Sequence, residues 1–340
     1  MSDRASPDYL LETRGVHHTL DGFVVSAVFA GGTAAFALGN GTVHLAHPAR
    51  WQEVEAHRGA ILSLTPDGRA QPGVLTGGDD GRFRRVGLDG TVTDIAAYGS
   101  KWVEHAAAHP GGVMACTTGK SVHVFTPDGA PLKTLAHPST VTGLALDAKG
   151  KRIAASHYNG CSLWFVAAKV DTARVLEWKG SHIGVAIHPS ADAVVSCMQE
   201  NALHGWRLAD GQHMRMSGYP AKTESMGFTR SGKWLCTSGA ESIVIWPFFG
   251  GGPMGKSPTE LAGGDAAMCT RVAPHPQHEA VAAGFADGLV VLADITTGRI
   301  LPIAGPGRGP ISALAWSAEG GQLAIGSETG FAALVNFSKR

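Results

Sequence analysis

The chain has 340 residues, with 28 Lys and Arg against 28 Asp and Glu and with 46 glycines. This balanced charge argues against the positive field that binds nucleic acid or anionic lipid, and no apolar stretch approaches the roughly 20 residues that span a bilayer. The five cysteines are odd in number and scattered, which is typical of reduced thiols rather than of a disulfide framework. The first residues lack a basic segment leading into an apolar one, so we expect no signal peptide and a cytoplasmic protein.

From the N-terminus, residues 1–14 are predicted to form a flexible tail and residues 15–340 a single domain. That domain repeats one pattern, which is clearest in AVAAGFADGLVVLADITTGR at Ala280–Arg299. Two apolar runs flank Asp287-Gly288 there, and Asp-Gly predicts a tight hairpin because glycine reaches positive φ without steric cost. A third apolar run precedes each hairpin, and a fourth lies between copies. The eight copies, numbered here as repeats one to eight, begin at Val24, Ile61, Val103, Val141, His182, Thr223, Cys269 and Ile311.

The repeats begin 37 to 46 residues apart and show no helical periodicity. This spacing is typical of the four-stranded blades of a propeller. We therefore predict an all-β fold: a single β-propeller of eight four-stranded blades, with seven as the alternative if the weak first repeat is irregular. The segment Gly15–Leu20 is predicted to pair into the last blade, because that pairing closes the ring and removes a free strand edge.

These features resemble the WD-repeat β-propeller family over Gly15–Phe337, in the degenerate form of a bacterial-type stand-alone propeller. The matching residues are entry-turn His57 and His137, the hairpin pairs Asp80-Gly81 and Asp287-Gly288, and third-strand Trp164, Trp206 and Trp246. The Trp-Asp dipeptide occurs nowhere, so the His–Ser–Asp–Trp hydrogen-bond set of the family is expected in few blades or in none. The resemblance implies a partner-binding face formed by the entry turns and by the turns between second and third strands.

On that face, the turns carry residue types in which protein interfaces concentrate binding energy. The predicted partner-binding residues are Trp102, Tyr158, His157, Phe285 and Arg308. A packing role, with Trp102 between blades or Tyr158 at the mouth of the channel, is an equal alternative.

Two polar residues, His105 and Arg271, occupy matching places in first strands, which line the central channel of a propeller. Other repeats have small residues there. We expect His105 and Arg271 to bind channel water or neighbouring backbone, and the functional alternative is that they hold a small anion or the acidic tip of a partner.

Histidines suggest a second functional hypothesis, since the chain has 16 of them. His109, His188 and His275 lie in the same turn after a first strand, and His275 forms H-x-x-H with His278. Equivalent turns lie at least a blade apart, and a turn does not fix two imidazoles toward one ion. We therefore expect these histidines to fill turns, with a weak zinc site as the alternative.

The segment Gly250–Ser257 (GGGPMGKS) matches the nucleotide-binding pattern G-x-x-x-x-G-K-[ST]. The context of that pattern is missing, because Pro258 follows at once and no amphipathic helix is predicted to aim its amides at a phosphate. We instead predict a long connection between the third and fourth strands of repeat six. As the longest insertion in the chain, it is also a candidate binding loop.

The leading hypothesis for the function is a non-catalytic protein–protein interaction scaffold that is monomeric on its own. A Ser/His/Asp elbow, paired catalytic carboxylates and an H-E-x-x-H helix are all missing from the sequence, so we expect no enzymatic activity and no cofactor. We expect a protein partner, and neither nucleic acid nor membrane. The alternative is a propeller that handles a metal ion or a small anion with its channel and turn histidines.

Overall fold

The computed structural model describes residues 9–47, 50–263 and 267–338. It begins with a five-residue helix, α1 (Leu10–Arg14), which leads directly into β1 (Gly15–Thr19). Leu11 is 2% exposed and belongs to an apolar cluster with Ile303 and Phe331. Residues 10–14 of the predicted tail form this helix, and its Leu11 fills an apolar site on the domain. The remainder of that prediction, residues 1–8, lies outside the described residues.

Repeats one to three each form a four-stranded antiparallel sheet in chain order. The first sheet contains β2 (Val24–Ala30), β3 (Thr33–Leu38), β4 (Thr42–His47) and β5 (Arg50–Glu55). The second contains β6 (Ile61–Pro66), β7 (Gly73–Gly78), β8 (Arg82–Gly87) and β9 (Val92–Ala97). The third contains β10 (Ala106–Ala108), β11 (Met114–Thr118), β12 (Ser121–Phe125) and β13 (Pro131–Ala136).

Repeats four and five share a six-stranded sheet, and the remaining repeats again form four-stranded sheets. The six strands are β14 (Gly143–Leu146), β15 (Arg152–Phe165), β16 (Arg174–Ile187), β17 (Ala193–Met198), β18 (Ala202–Arg207) and β19 (His213–Met216). The next sheet contains β20 (Met226–Phe228), β21 (Trp234–Thr237), β22 (Ser242–Pro247) and β23 (Thr259–Gly263). Repeat seven contains β24 (Cys269–Pro274), β25 (Ala280–Phe285), β26 (Val290–Asp294) and β27 (Ile300–Ala304). The last sheet combines β28 (Ile311–Trp316), β29 (Gln322–Ser327) and β30 (Phe331–Asn336) with β1.

The fold is a single all-β propeller with seven blades, when each hydrogen-bonded sheet is counted as one blade. The predicted eight blades are thus corrected to the alternative of seven. The reason lies in β16, because Arg174–Ser181 pairs with β15 whereas His182–Ile187 pairs with β17. No turn separates repeats four and five at this point, so their strands merge into one sheet. Eight inner strand segments still border the axis, and the first repeat, whose irregularity was the condition given for seven blades, forms a regular sheet.

Closure of the ring follows the prediction. Strand β1 pairs antiparallel with β30, in a register that runs from Gly15 opposite Val335 to Thr19 opposite Phe331. The first described strand of the chain thereby completes the last sheet, and the outer edge of β30 is covered.

The core lies between neighbouring sheets, which explains why several second strands are buried at every position. In β3, β7, β17 and β25 the side chains on both faces meet an adjacent sheet. All five cysteines are buried and unpaired in this core, and burial raises the pKa of the Cys116, Cys197 and Cys269 thiols to about 12. Such thiols are poor nucleophiles at neutral pH. The described residues contain no helix long and apolar enough to cross a membrane.

Candidate partner-binding face

Two kinds of turn meet on one face of the propeller, which we call the entry face. One kind leads into an inner strand, and the other joins a second strand to a third. In repeat two, His57 of the first kind bonds through Nδ1 to Oδ1 of Asp80 in the second kind, at 2.9 Å. In repeat four, the Tyr158 amide donates to Oγ of Ser139 at 2.9 Å. The turns between first and second strands and between third and fourth strands lie on the opposite face.

Side-chain hydrogen bonds fix the turns of the entry face to the strands beneath them. His57 also bonds through Nε2 to Oγ1 of Thr76 at 2.8 Å, so that a turn, a strand and a hairpin are tied together. Val86 stands where the WD-repeat pattern has tryptophan, and the four-residue set is incomplete here. Among the described repeats we find no complete set, as the missing Trp-Asp dipeptides predicted.

Later repeats build the same kind of brace from other residues. In repeat four, Nε1 of Trp164 donates to Nε2 of His137 at 3.1 Å. In repeat six, Nε1 of Trp246 donates to the hydroxyl of Tyr219 at 2.7 Å, and that hydroxyl bonds Oγ1 of Thr237 at 2.6 Å. A tyrosine thus takes the bracing position that His137 occupies in repeat four. Side-chain hydrogen bonds of different composition hold the turns of this face in both repeats.

Three aromatic side chains stand out from this braced face. Trp102 is 56% exposed and Tyr158 is 59% exposed, so both predicted residues are accessible. Phe23 is 40% exposed and was missed by the sequence reasoning, although it occupies the same place before β2 that Trp102 occupies before the inner strand of repeat three. The Phe23 carbonyl accepts the Gly39 amide at 2.9 Å, which places it against the second-to-third-strand turn of repeat one. A comparison of equivalent turn positions would have found it.

Two predicted contact residues prove to be buried, and the prediction is corrected for both. His157 is 2% exposed, and its Nε2 bonds Oγ of Ser162 at 2.9 Å. Phe285 is 3% exposed and packs in an apolar cluster with Val281 and Ile295. Both residues end or continue a second strand, where the side chains turn inward, so they support the face rather than form it.

Arg308 lies on the entry face but is already engaged. Its guanidinium donates to Oε1 of Glu12 and to the Gly305 carbonyl, both at 2.8 Å, and it stacks 5.3 Å from the ring centre of Phe331. Its side chain is 24% exposed. The arginine therefore clamps α1 against the last blade, and only its outer edge is open to a partner.

The channel residues are largely committed to the protein itself. Arg271 lines an axial cavity of about 340 Å³, and it donates to the carbonyls of Ser312 and Thr270, both at 2.8 Å. Its Nη1 also lies 3.5 Å from Oε2 of Glu224. Burial lowers the pKa of His105 to about 4, so its imidazole is neutral at pH 7. His105 does not line that cavity, and the structure thus does not bring the two residues into one anion site.

On the opposite face, turn histidines of repeats three, five and seven each form a hydrogen bond to the repeat that follows. In each, Nδ1 accepts a hydrogen bond from a backbone amide of its own turn. The donor to His109 is Gly111 at 2.8 Å, the donor to His188 is Ser190 at 3.3 Å, and the donor to His275 is Gln277 at 3.0 Å. Nε2 of each ring donates to a carbonyl of the next repeat. The acceptor is Ala148 for His109 at 3.0 Å, Gly232 for His188 at 2.8 Å, and Gly320 for His275 at 3.2 Å. Both ring nitrogens are used, so the expected turn-filling role is what the geometry shows. Within the described residues, no group of three or more His, Cys, Asp or Glu could hold a metal ion.

Repeats two, four and six contact the next repeat through arginine instead. Arg152 of repeat four donates to the Ala191 carbonyl at 3.0 Å, and Arg230 of repeat six donates to Oε1 of Gln277 at 2.6 Å. Arg69 of repeat two lies 3.8 Å from Sδ of Met114. The two kinds of joint therefore alternate along the chain.

The glycine-rich segment Gly250–Ser257 does not form a phosphate loop. Nζ of Lys256 donates to the Phe249 carbonyl and, at 2.9 Å, to the Gly252 carbonyl, and it lies 4.6 Å from the ring centre of Phe249. The lysine that would reach a phosphate is thus turned back into its own loop. As predicted, the segment connects the third and fourth strands of repeat six, β22 and β23.

Comparison with known proteins supports the fold and no more. No protein-family model matches the chain, and no curated protein matches it in sequence. Among solved structures, it is similar to the crystal structure of the computationally designed Ika8 protein, with a TM-score of 0.76 and 16% identity over 94% of this chain and 98% of that chain. At this identity, the likeness shows the β-propeller fold alone.

Proposed function

We propose that this chain is a cytoplasmic, non-catalytic interaction scaffold of the WD-repeat type, which binds a protein partner on its entry face. The observation that carries the proposal is the exposure of Phe23, Trp102 and Tyr158 on turns of that one face. A propeller is commonly used as such a scaffold, but fold alone does not give function. The proposal therefore rests on the exposed side chains of the entry face.

Exposed aromatic side chains on a rigid support are favourable anchors for a partner. Each has a large apolar surface to bury and few rotatable bonds, so little conformational entropy is lost on binding. The braces at His57, His137 and Tyr219 fix the turns beside them, so a partner does not have to order these loops. Phe23, Trp102 and Tyr158 belong to the turns of repeats one, three and four, so a partner that contacts all three would lie across several blades.

The geometry does not favour the alternative, a propeller that handles a metal ion or small anion. His109, His188 and His275 use both ring nitrogens in hydrogen bonds to backbone. Arg271 is engaged by two carbonyls and by Glu224. A ligand at either place would first have to break these bonds.

The test is affinity capture from lysate of the native host with three forms of the full chain. These are the wild type, a Trp102→Ala/Tyr158→Ala double variant and a Leu132→Ala/Ile300→Ala double variant. The last is the matched control, since Leu132 and Ile300 are 47% and 40% exposed on outer strands. We expect a stoichiometric protein partner with wild type and control that is lost with the aromatic variant, and Phe23→Ala should weaken it. Equal capture by all three forms, or no partner at all, would refute the proposal.

A further inference from the structure

A pocket of about 690 Å³ lies on the opposite face, where repeats four, five and six meet. It is bounded by the third strand of repeat four, by two turns of repeat five and by the glycine-rich connection of repeat six. The volume lies within the 300–1,000 Å³ typical of small-molecule sites. Because the pocket is remote from the entry face, nothing in the proposed function accounts for it.

The floor and walls of this pocket are mainly apolar. Leu163, Leu208, Met214 and Phe248 line it, and each of these four residues is buried. Phe165 also lines it and is 54% exposed at the rim. A ligand with an apolar body would cover surface that is otherwise in water.

The glycine-rich connection forms one wall and is held in place from two sides. Lys256 ties it internally, and the Gly251 carbonyl accepts a long bond of 3.4 Å from Nη1 of Arg207. Gly252 lies against Met214, because a Cβ added there would stand 2.7 Å from Sδ of the methionine. Its φ of 109° also favours glycine. The insertion is therefore seated on repeat five as a fixed wall.

Three arginines and one aspartate line this pocket, and two of the arginines already have another carboxylate beside them. The lining residues are Arg152, Arg174, Arg207 and Asp192. Arg207 is oriented by a bond from Nε to Asp210 of 2.9 Å, and Nε of Arg152 lies 3.9 Å from Asp147. Arg174 is exposed, and the described residues offer it no ion pair. An anionic group placed among them would gain a charge-assisted bond that the protein itself does not supply.

We propose that this pocket binds a small organic carboxylate with an apolar body, seated on Leu208, Met214 and Phe248 with its carboxylate on Arg174. The Arg174 guanidinium, which has no ion pair among the described residues, favours an anion over a neutral or cationic amphiphile of equal size. The depth and the apolar lining favour a compact ligand over inorganic phosphate, which would leave most of the pocket empty. An acidic peptide lying across the rim is the competing occupant, and the experiment distinguishes it.

The test is calorimetric titration of the full chain with decanoate below its micelle concentration, at pH 7.5 and low salt. We expect one binding site. Arg174→Gln should weaken binding about tenfold, the usual loss for one charge-assisted bond. Phe165→Ala should also weaken it. Arg58→Gln, which removes an exposed arginine on the entry face, is the matched control and should bind as the wild type does.

Other outcomes overturn the proposal. Decyltrimethylammonium has the same body and the opposite charge, and equal binding of it would show that the pocket does not select an anion. Decanoate binding that Arg174→Gln and Phe165→Ala both leave unchanged would place the site elsewhere. No decanoate binding, together with binding of a short acidic, leucine-containing peptide, would assign the pocket to a peptide.

Melting temperatures of both variants equal to that of wild type would show that any loss of binding is not loss of fold.

Discussion

Each turn histidine of the opposite face is fixed in one tautomer by its surroundings. A backbone amide donates to Nδ1 of His275, and the Gly320 carbonyl can accept only if Nε2 carries the proton. The imidazole also lies directly against Gly320, whose φ is 71°. Position 320 therefore needs glycine for two reasons, its left-handed backbone and the ring above it.

The two reasons can be separated by experiment. Gly320→Ala should destabilise the chain more than Gly211→Ala, because Gly211 has a similar φ of 75° but nothing within 4 Å of an added Cβ. Each variant has the strain of the left-handed backbone, about 1 kcal/mol, and only the first displaces His275, which costs about 1–3 kcal/mol more. Urea unfolding of both variants measures the difference. Equal losses would show that the contact with the ring contributes nothing.

Buried histidines also make the stability depend on pH. Burial lowers the pKa of His105 and His137 to about 4 and, together with nearby His213, that of His204 to about 3. In the unfolded chain these imidazoles return to about 6.5, so between the two values the unfolded state binds more protons. The contribution of these neutral histidines to the free energy of unfolding is complete above about pH 6.5 and is lost as the pH falls below that value.

We therefore expect the free energy of unfolding, measured in urea, to fall by several kcal/mol between pH 7 and pH 4.5, at about 1.4 kcal/mol per pKa unit and group. His204→Phe should flatten that dependence, since it removes the imidazole and keeps a ring to stack on Trp178, 3.9 Å away between ring centres. A free energy of unfolding that is constant or rises on acidification would contradict this account.

At the scale of single residues, the positions of the entry-face turns follow from the sequence, but the directions of their side chains do not. His157 and Tyr158 are neighbours, and one is buried whereas the other is more than half exposed. The difference depends on where the second strand ends, which a hydrophobic pattern locates only to within a residue or two. Comparison of equivalent positions, as for Phe23 and Trp102, is the stronger guide.

Within one sheet, the brace of repeat six shows how one side-chain hydroxyl ties two strands to the segment that precedes them. The hydroxyl of Tyr219 joins Trp246 of β22 to Thr237 of β21, and it lies in a segment that leads toward β20. Burial raises the pKa of Tyr219 to about 12, so the hydroxyl keeps its proton.

Tyr219→Phe should lower the free energy of unfolding by about 1–3 kcal/mol, because the buried indole N–H of Trp246 would lose its acceptor. Tyr158→Phe is the matched control, since Tyr158 is 59% exposed and should leave the stability unchanged. Thermal melting and urea unfolding report both. A change as large in Tyr158→Phe as in Tyr219→Phe would assign the effect to something other than the brace.

At the scale of elements, the repeat period predicts the strands, but it does not predict that repeats four and five share one sheet. Strand starts and hairpin turns are local signals, so the order of elements follows from the pattern. Whether a fourth strand and the next inner strand join depends on a few residues, Lys179–Ser181, and on the twist of the neighbouring sheets. Gly180 lies there at a φ of 124°, and in the sequence it reads as a turn signal.

Over the whole molecule, closure of the ring involves both ends of the described chain. Strand β1 covers β30, α1 places Leu11 in the core of the last two blades, and Arg308 holds Glu12. Few residues thus secure the joint between the first and last repeats.

Leu11→Ala should cost about 2–5 kcal/mol, because it leaves a cavity where helix and last blades meet. Leu132→Ala, at an outer-strand position that is 47% exposed, should cost less than about 0.5 kcal/mol. Urea unfolding compares them. A loss for Leu11→Ala no greater than that of the control would show that α1 does not contribute to closure.

The alternation of histidine and arginine joints has a further consequence. His109, His188 and His275 are 79 and 87 residues apart, and Arg69, Arg152 and Arg230 are 83 and 78 residues apart. Each kind of joint thus recurs at every second repeat between repeats two and seven, so the side chains that tie neighbouring repeats together follow a period twice that of the strands.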